Sequence, residues 1–207
     1  MTTFNGWLLV NVPNDPPAAA TFDYTATEAV SVNTSPFNFS QQIQDWQQGY
    51  LEASVSLPPL THTQAQAWIA FLLGLRGQAN IFQLGDPLAV APQGSGAGTP
   101  LVNGANQVGY TLATKGWTAN ANGVLLPGDF LQIGMRLYRV MFSAVNADAS
   151  GNATMSIWPP LRESPNDGDA LILTNTQGLW RLKANTRKWS IATARTYGVQ
   201  FDIREAI

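Results

Sequence analysis

Between residues 103 and 168 turn signals cut the chain at short intervals: Asn103-Gly104, Asn122-Gly123, Pro127-Gly128, Ser150-Gly151-Asn152 and Asp167-Gly168. Each puts Gly or Asn where a tight connection needs a positive φ. The runs between them are too short for ordinary helices and long enough for strands. Phe130–Ile133, Leu137–Phe142, Ala153–Trp158 and Ala170–Leu173 are the best of them. Strands at this spacing predict a compact all-β module, a small barrel or sandwich. The stretch APQGSGAGTP, at 91–100, is the sharpest change in composition along the chain and reads as a flexible linker into that module.

The first 60 residues also read as strands. Thr21–Val32 and Asn38–Ser56 carry β-branched and aromatic residues with partial alternation, and Pro58-Pro59 ends the run because neither proline can donate to a ladder. One helix follows. Thr61 is a good N-cap, with Gln64 three residues on as a capping box requires. Ala65, Trp68, Ile69, Leu72 and Leu75 recur at helical spacing, with Trp68, Ile69 and Leu72 as the buried stripe. Gly77 is the expected C′ residue, with Arg76 in the last turn. A short strand, Ala79–Leu84, closes at Gly85-Asp86-Pro87, and YGVQFDI at 197–203 has the cleanest alternation in the chain. The predicted fold is mostly β (α+β). One domain takes residues 1–87 and is completed by the C-terminal strands of 176–207. Residues 88–175 form an inserted module, expected to hang on its linker and to be more mobile than the rest.

With 207 residues, such a chain can bury a sizeable core. Charged residues make up only 12%, about half the usual share, so Asn, Gln, Ser, Thr, Gly and Ala must cover the surface. The net charge of −2 points to neither nucleic acid nor an anionic membrane. Its distribution is uneven. From Met1 to Leu75 there is no Lys or Arg, but Asp15, Asp23, Glu28, Asp45 and Glu52 occur. From Thr176 onward Arg181, Lys183, Arg187, Lys188, Arg195 and Arg204 face only Asp202 and Glu205. This polarity is either the chance pattern of a low-charge chain or a pair of complementary faces that meet between subunits. On the second reading Asp15, Asp23, Asp45 and Glu52 form the acidic face, and Arg181, Lys183, Arg187 and Lys188 the basic one. There is no cysteine, hence no disulfide framework, thiolate metal site or Cys nucleophile. The N-terminal residues lack the basic and apolar regions of a secretory signal, and the apolar run at 67–75 is too short to span a bilayer.

Candidate chemistry is sparse. His62 is the only histidine and stands at the first helical turn, where a solvated surface role is the simplest account. Gly94, Gly96 and Gly98 mimic a phosphate loop but lack its spacing and its lysine. The turns around Asp148 and Asp167 offer oxygens to calcium, but neither ends in the bidentate Glu of an EF-hand. Asp129, Asp167 or Asp169 could serve a polysaccharide depolymerase as carboxylates, but nothing singles out a pair. Trp117 and Trp158 are candidate glycan contacts, with core packing the alternative for each. We expect no catalytic residue, no metal and no cofactor.

Finally, the run QQIQDWQQGYLEASVSLPPLTHTQAQAWIAFLLGLRGQANIFQLGDP at 41–87 resembles the N-terminal half of distal tail proteins of long-tailed (siphovirus-like) phages and prophages. There a strand ending in LPP leads to a helix of the form TxxQAxxWxAFLLxLRG and a strand ending in LGDP. PLVNGANQVGYTLATKGWTANANGVLLPGDFLQIG and ADASGNATMSIWPPLRESPNDGDAL also fit, so the resemblance covers most of 41–175. It implies a tail-tube-like domain assembled as a homohexameric ring, with an inserted, outward β-barrel, often OB-like. It also implies a structural, non-enzymatic role in the virion tail tip. The partners would be the tail tube protein, the baseplate hub and other tail-tip proteins, with assembly in the cytoplasm of a bacterial host. No nucleic-acid readout and no membrane insertion are expected. A glycan-binding or depolymerase tail protein is the alternative.

Overall fold

The computed structural model describes residues 2–13, 21–193 and 195–207. A small hairpin, β1 (Thr3–Phe4) and β2 (Trp7–Leu8), precedes two long antiparallel strands, β3 (Thr21–Thr34) and β4 (Gln41–Ser56). Helix α1 (His62–Gly74) and β5 (Phe82–Leu84) follow. The middle of the chain supplies β6 (Gly98–Val102), β7 (Thr111–Trp117), β8 (Phe130–Ile133), β9 (Arg136–Val140), β10 (Ala153–Trp158) and β11 (Leu171–Ile172). Then come β12 (Gly178–Leu182), β13 (Lys188–Ile191) and β14 (Tyr197–Glu205). The protein is mostly β. No helix among the described residues is long and apolar enough to cross a membrane.

The strands form two large sheets. In the first the order is β3-β4-β14-β12-β5, with β13 also pairing β14. Thus β14 sits between strands that precede it by more than a hundred residues and strands that directly precede it. Its alternation explains the layering. Val199, Phe201 and Ile203 point inward, while Gln200, Asp202 and Arg204 point out, in register with Ser56, Ser54 and Glu52 of β4. Helix α1 covers the apolar face. Trp68, Ile69 and Leu72 are buried there, Trp68 lying 6.0 Å from the Phe201 ring and Phe71 packing edge-on to Phe82 at 5.2 Å. Gln64 Oε1 accepts the Thr61 N–H at 3.1 Å, which satisfies one otherwise orphaned donor at the helix start. At the other end the left-handed turn begins one residue earlier than predicted. Arg76 already has φ +53° and Gly77 follows at +71°, where a side chain would run into Asn185.

The second sheet, in the order β11-β8-β9-β10-β7-β6, curls until its ends nearly meet. A bridge between Leu101 and Ala170 joins β6 to the segment entering β11, giving a nearly closed six-stranded barrel. Val102, Leu112, Leu125, Leu131, Val140 and Ile157 fill its interior. The glycine-rich approach to the barrel is pinned rather than flexible. Buried Asp129 accepts backbone N–H groups from Gln93 at 2.7 Å, Gly94 at 3.0 Å and Leu126 at 2.8 Å, and Gly96 N–H donates to Val124 O. A Cβ on Gly94 would stand 2.5 Å from Val124 O, so glycine serves close backbone approach here rather than freedom of movement.

The barrel is clamped to the first sheet by buried polar contacts. Arg162, after β10, pairs with Glu205 at 2.6 Å and donates to Gly49 O at 2.5 Å; both charged side chains are almost fully buried. Arg136 of β9 bonds Ala206 O and Glu163, and Trp158 Nε1 donates to Glu28. The expectation of a module hanging loosely from a linker does not survive these contacts.

Candidate interaction surface

Two features of the first sheet stand out: a charged face and a projecting arm. The charged face is the one turned away from α1. Register places Thr21, Asp23 and Thr25 of β3 beside Ser56, Ser54 and Glu52 of β4, and these beside Gln200, Asp202 and Arg204 of β14. Arg181 of β12 continues the row opposite Arg204. Residues assigned from sequence to opposite faces, namely Asp23, Glu52, Arg181 and Lys183, therefore lie together on one surface of one chain. Glu52 is bound by Lys183 at 2.6 Å and by Arg204 at 2.7 Å. The Lys183 ammonium, followed by the Arg204 guanidinium, holds the Glu52 carboxyl below its ordinary range against the opposing effect of burial. Arg181 stacks over the Trp7 ring at 4.2 Å, and burial lowers its affinity for its proton. Arg187 is also engaged within its own chain, donating to Leu72 O and Asn185 O. Inside the chain Glu52 and Lys183 thus pair with each other, whereas Arg181 meets an aromatic ring and Arg187 meets backbone oxygens. Asp23 and Lys188 are exposed, as is Asp45, which caps its own turn by accepting the Gln47 N–H at 2.7 Å. Asp15 lies outside the described residues.

The arm follows from a mismatch of lengths. Strand β4 has 16 residues and runs about 53 Å, whereas the 13 residues of α1 span about 20 Å. The helix therefore covers less than half of the strand. Past a bulge between Glu28 and Val30, where Gln47 adopts φ +53°, β3 and β4 continue with only each other as strand neighbours among the described residues. From Val30 to Gln48 every residue except Ser31 and Ser35 is exposed. Yet the arm carries Val30, Val32, Ile43 and Trp46 on its strands, and Phe37 and Phe39 at its tip, Phe37 being 95% exposed. Val32 pairs with Ile43 and Val30 with Asp45, so Val30, Val32 and Ile43 share one face. Sequence reasoning missed these residues. Their signal was present in the strand lengths, since a strand of nearly 20 predicted residues outruns one short helix.

Two concavities flank the sheet. A cleft of about 470 Å³ lies where β13 meets β14, lined by Leu57, Leu182, Arg187, Lys188, Trp189 and Phe201. A pocket of about 210 Å³ sits at the junction with the barrel, lined by Tyr24, Phe130, Leu137, Tyr138, Arg139 and Trp158. Burial raises the Tyr24 and Tyr138 phenols above their ordinary range.

The remaining candidates have structural surroundings. Trp117 is 4% exposed in the barrel core and donates to Thr114 Oγ1 at 2.8 Å, which removes it as a glycan contact. Asp167 pairs with Lys115 at 2.6 Å and accepts the Gly104 N–H, and these two partners hold its carboxyl below the usual range. Asp169 accepts the Asn166 N–H. Asp148 accepts N–H groups from Asn152 and Ser150, which lower its pKa and close the turn on itself. His62 Nδ1 lies 2.9 Å from the Tyr197 hydroxyl at the surface. Among the described residues no three His, Asp or Glu side chains gather where they could hold a metal ion. No protein-family model matches the chain, and no curated protein sequence does.

Proposed function

We propose that this chain is a structural subunit of a phage tail tip, of the distal-tail type, forming a homohexameric ring between the tail tube and the baseplate hub. The observation that carries the reading is a one-helix β sheet that extends a long, apolar, uncovered hairpin. An exposed apolar surface of this kind belongs on a protein that assembles. The resemblance of 41–87 to distal tail proteins supplies the setting. On this reading the first sheet with α1 is the tail-tube-like, ring-forming unit, and the barrel is an OB-like module on its outer side. The partners are further copies of the chain, the tail tube protein and the hub proteins, in a virion tail assembled in the host cytoplasm. The low charge of the surface suits a protein that spends its life in contact with others.

The test is the purified chain itself. Native mass spectrometry should give a species of six times the 22.3 kDa chain mass, and electron microscopy a six-fold ring. A chain that stays monomeric at every accessible concentration overturns the proposal. A second reading, contact with a host glycan, is favoured by the aromatic pocket that holds Trp158. A glycan array probed with the full chain and with Trp158→Ala checks it, since binding through this pocket must be lost in the variant.

A further inference from the structure

We propose that the pocket between the barrel and the first sheet takes one acidic sugar residue, of the uronate or sialate kind. Its carboxylate sits on Arg139 and its ring among Tyr24, Phe130 and Trp158. This rests on the glycan reading above and names the class of sugar. Register builds the site. Arg139 of β9 lies opposite Phe130 of β8 on one side and opposite Trp158 of β10 on the other, so the three form one row across the outside of the barrel. Leu137 shares that face of β9. Across from them the apolar face of the first sheet supplies Tyr24, Ala26 and Leu51, the last two paired in register. The volume of about 210 Å³ falls below the roughly 300–1,000 Å³ of pockets that hold drug-sized ligands, which fits a single sugar ring.

Three groups in the wall select the ligand. Trp158 is fixed in place, its indole N–H donating to Glu28, and offers aromatic carbon to the C–H side of a sugar. The Tyr24 hydroxyl has no hydrogen-bond partner among the described residues, whereas the Tyr138 hydroxyl accepts the Arg162 N–H at 3.2 Å. Burial, then the charge of Asp86, keeps the Tyr24 phenol protonated against the pull of Arg139, so it remains an O–H donor. Arg139 is the only charged side chain in the wall and lies 4.1 Å from the centre of the Phe130 ring. Among the described residues no carboxylate pairs with it. The two acids nearby are engaged elsewhere, Glu28 by Trp158 and Asp86 by the Leu88 N–H at 2.9 Å. A hydroxyl donor beside one unpaired guanidinium selects an acceptor with a single negative charge, and the guanidinium fork matches the two oxygens of a carboxylate. Arg139 and Phe130 also border a second concavity of about 290 Å³, so the rest of a longer glycan has room to continue past them.

The test is an array of uronate- and sialate-terminated glycans printed beside their carboxyl-reduced counterparts, probed with the full chain and with Arg139→Gln. The full chain should bind the acidic glycans on the order of tenfold more tightly than the reduced ones, and Arg139→Gln should lose that preference. Methyl β-glucuronide against methyl β-glucoside, followed by saturation-transfer NMR, makes the same comparison for a single residue. Arg139 is exposed, so Arg139→Gln should melt as the unaltered chain does. Tyr24→Phe, which keeps the ring and removes the hydroxyl, carries the test should Arg139→Gln melt abnormally. Equal binding of acidic and reduced glycans, or undiminished acidic binding by Arg139→Gln, overturns this inference. The glycan reading then still stands wherever Trp158→Ala abolishes the binding. A chain that binds no glycan at all overturns both.

Discussion

At the scale of single residues, buried carboxylates act as fasteners. Asp129 gathers three backbone N–H groups from two separate segments, and removing it leaves them without a partner. Asp129→Ala should destabilise the barrel by about 1–3 kcal/mol for the group left unsatisfied, read by chemical denaturation. The same occupation of oxygens separates the structural reading from the depolymerase one. Asp167→Asn should release no fewer reducing ends from host polysaccharide than wild type, because neither should release any; reproducible release that the variant abolishes would restore the enzyme reading. Glu52 gives a pH dependence with a defined sign. Its folded pKa lies below its unfolded one, so its contribution is complete above the ordinary glutamate range and disappears as pH falls through the lowered folded value. Asp148 and Asp167 shift in the same direction. Melting temperature should therefore fall on acidification, and Glu52→Gln should flatten part of that fall.

At the scale of elements, the helix was the most legible feature, because its stripe, cap and flanking prolines all agree. Trp68→Ala should cost about 3–5 kcal/mol, measured by thermal or urea melts, since the indole fills the space between α1 and Phe201. The strands Phe130–Ile133 and Ala153–Trp158 were readable to the residue because turn signals bound them on both sides. What could not be read was pairing across long separations. Glu52 meets Lys183 and Arg204 only because β4 lies beside β14 and β14 beside β12, a neighbourhood that charge counted along the chain does not show. The glycine-rich stretch misled for a related reason, since composition does not distinguish glycine that moves from glycine that lets two backbones touch. Gly94→Ala should therefore destabilise the barrel, whereas a true linker would tolerate the change.

At the scale of the whole molecule, barrel and sheet are one mechanical object. Arg162 reaches from the barrel to Glu205 and to Gly49 O, and Trp158 reaches Glu28, so the barrel grips the root of the arm. Deleting 92–172 looks harmless if the module hangs from a linker. With the clamp in place, the deletion leaves Glu205 and Glu28 without their partners and should impair both stability and assembly, as judged by melting and native mass spectrometry. Arg162→Ala alone should cost about 3–5 kcal/mol, the usual consequence of stranding one member of a buried ion pair. The position of β14 also sets an order of events during synthesis. Every strand of the barrel lies in one unbroken stretch, so the barrel can close as soon as residue 172 clears the ribosome. The first sheet cannot, because its central strand is not made until residues 197–205. Until then β3, β4 and α1 wait with their apolar face uncovered beside a finished barrel. Released truncated chains ending at residue 180 should show a protease-resistant barrel and a digestible 21–84 segment, which makes the interval before β14 joins the sheet the time when this protein most needs a chaperone.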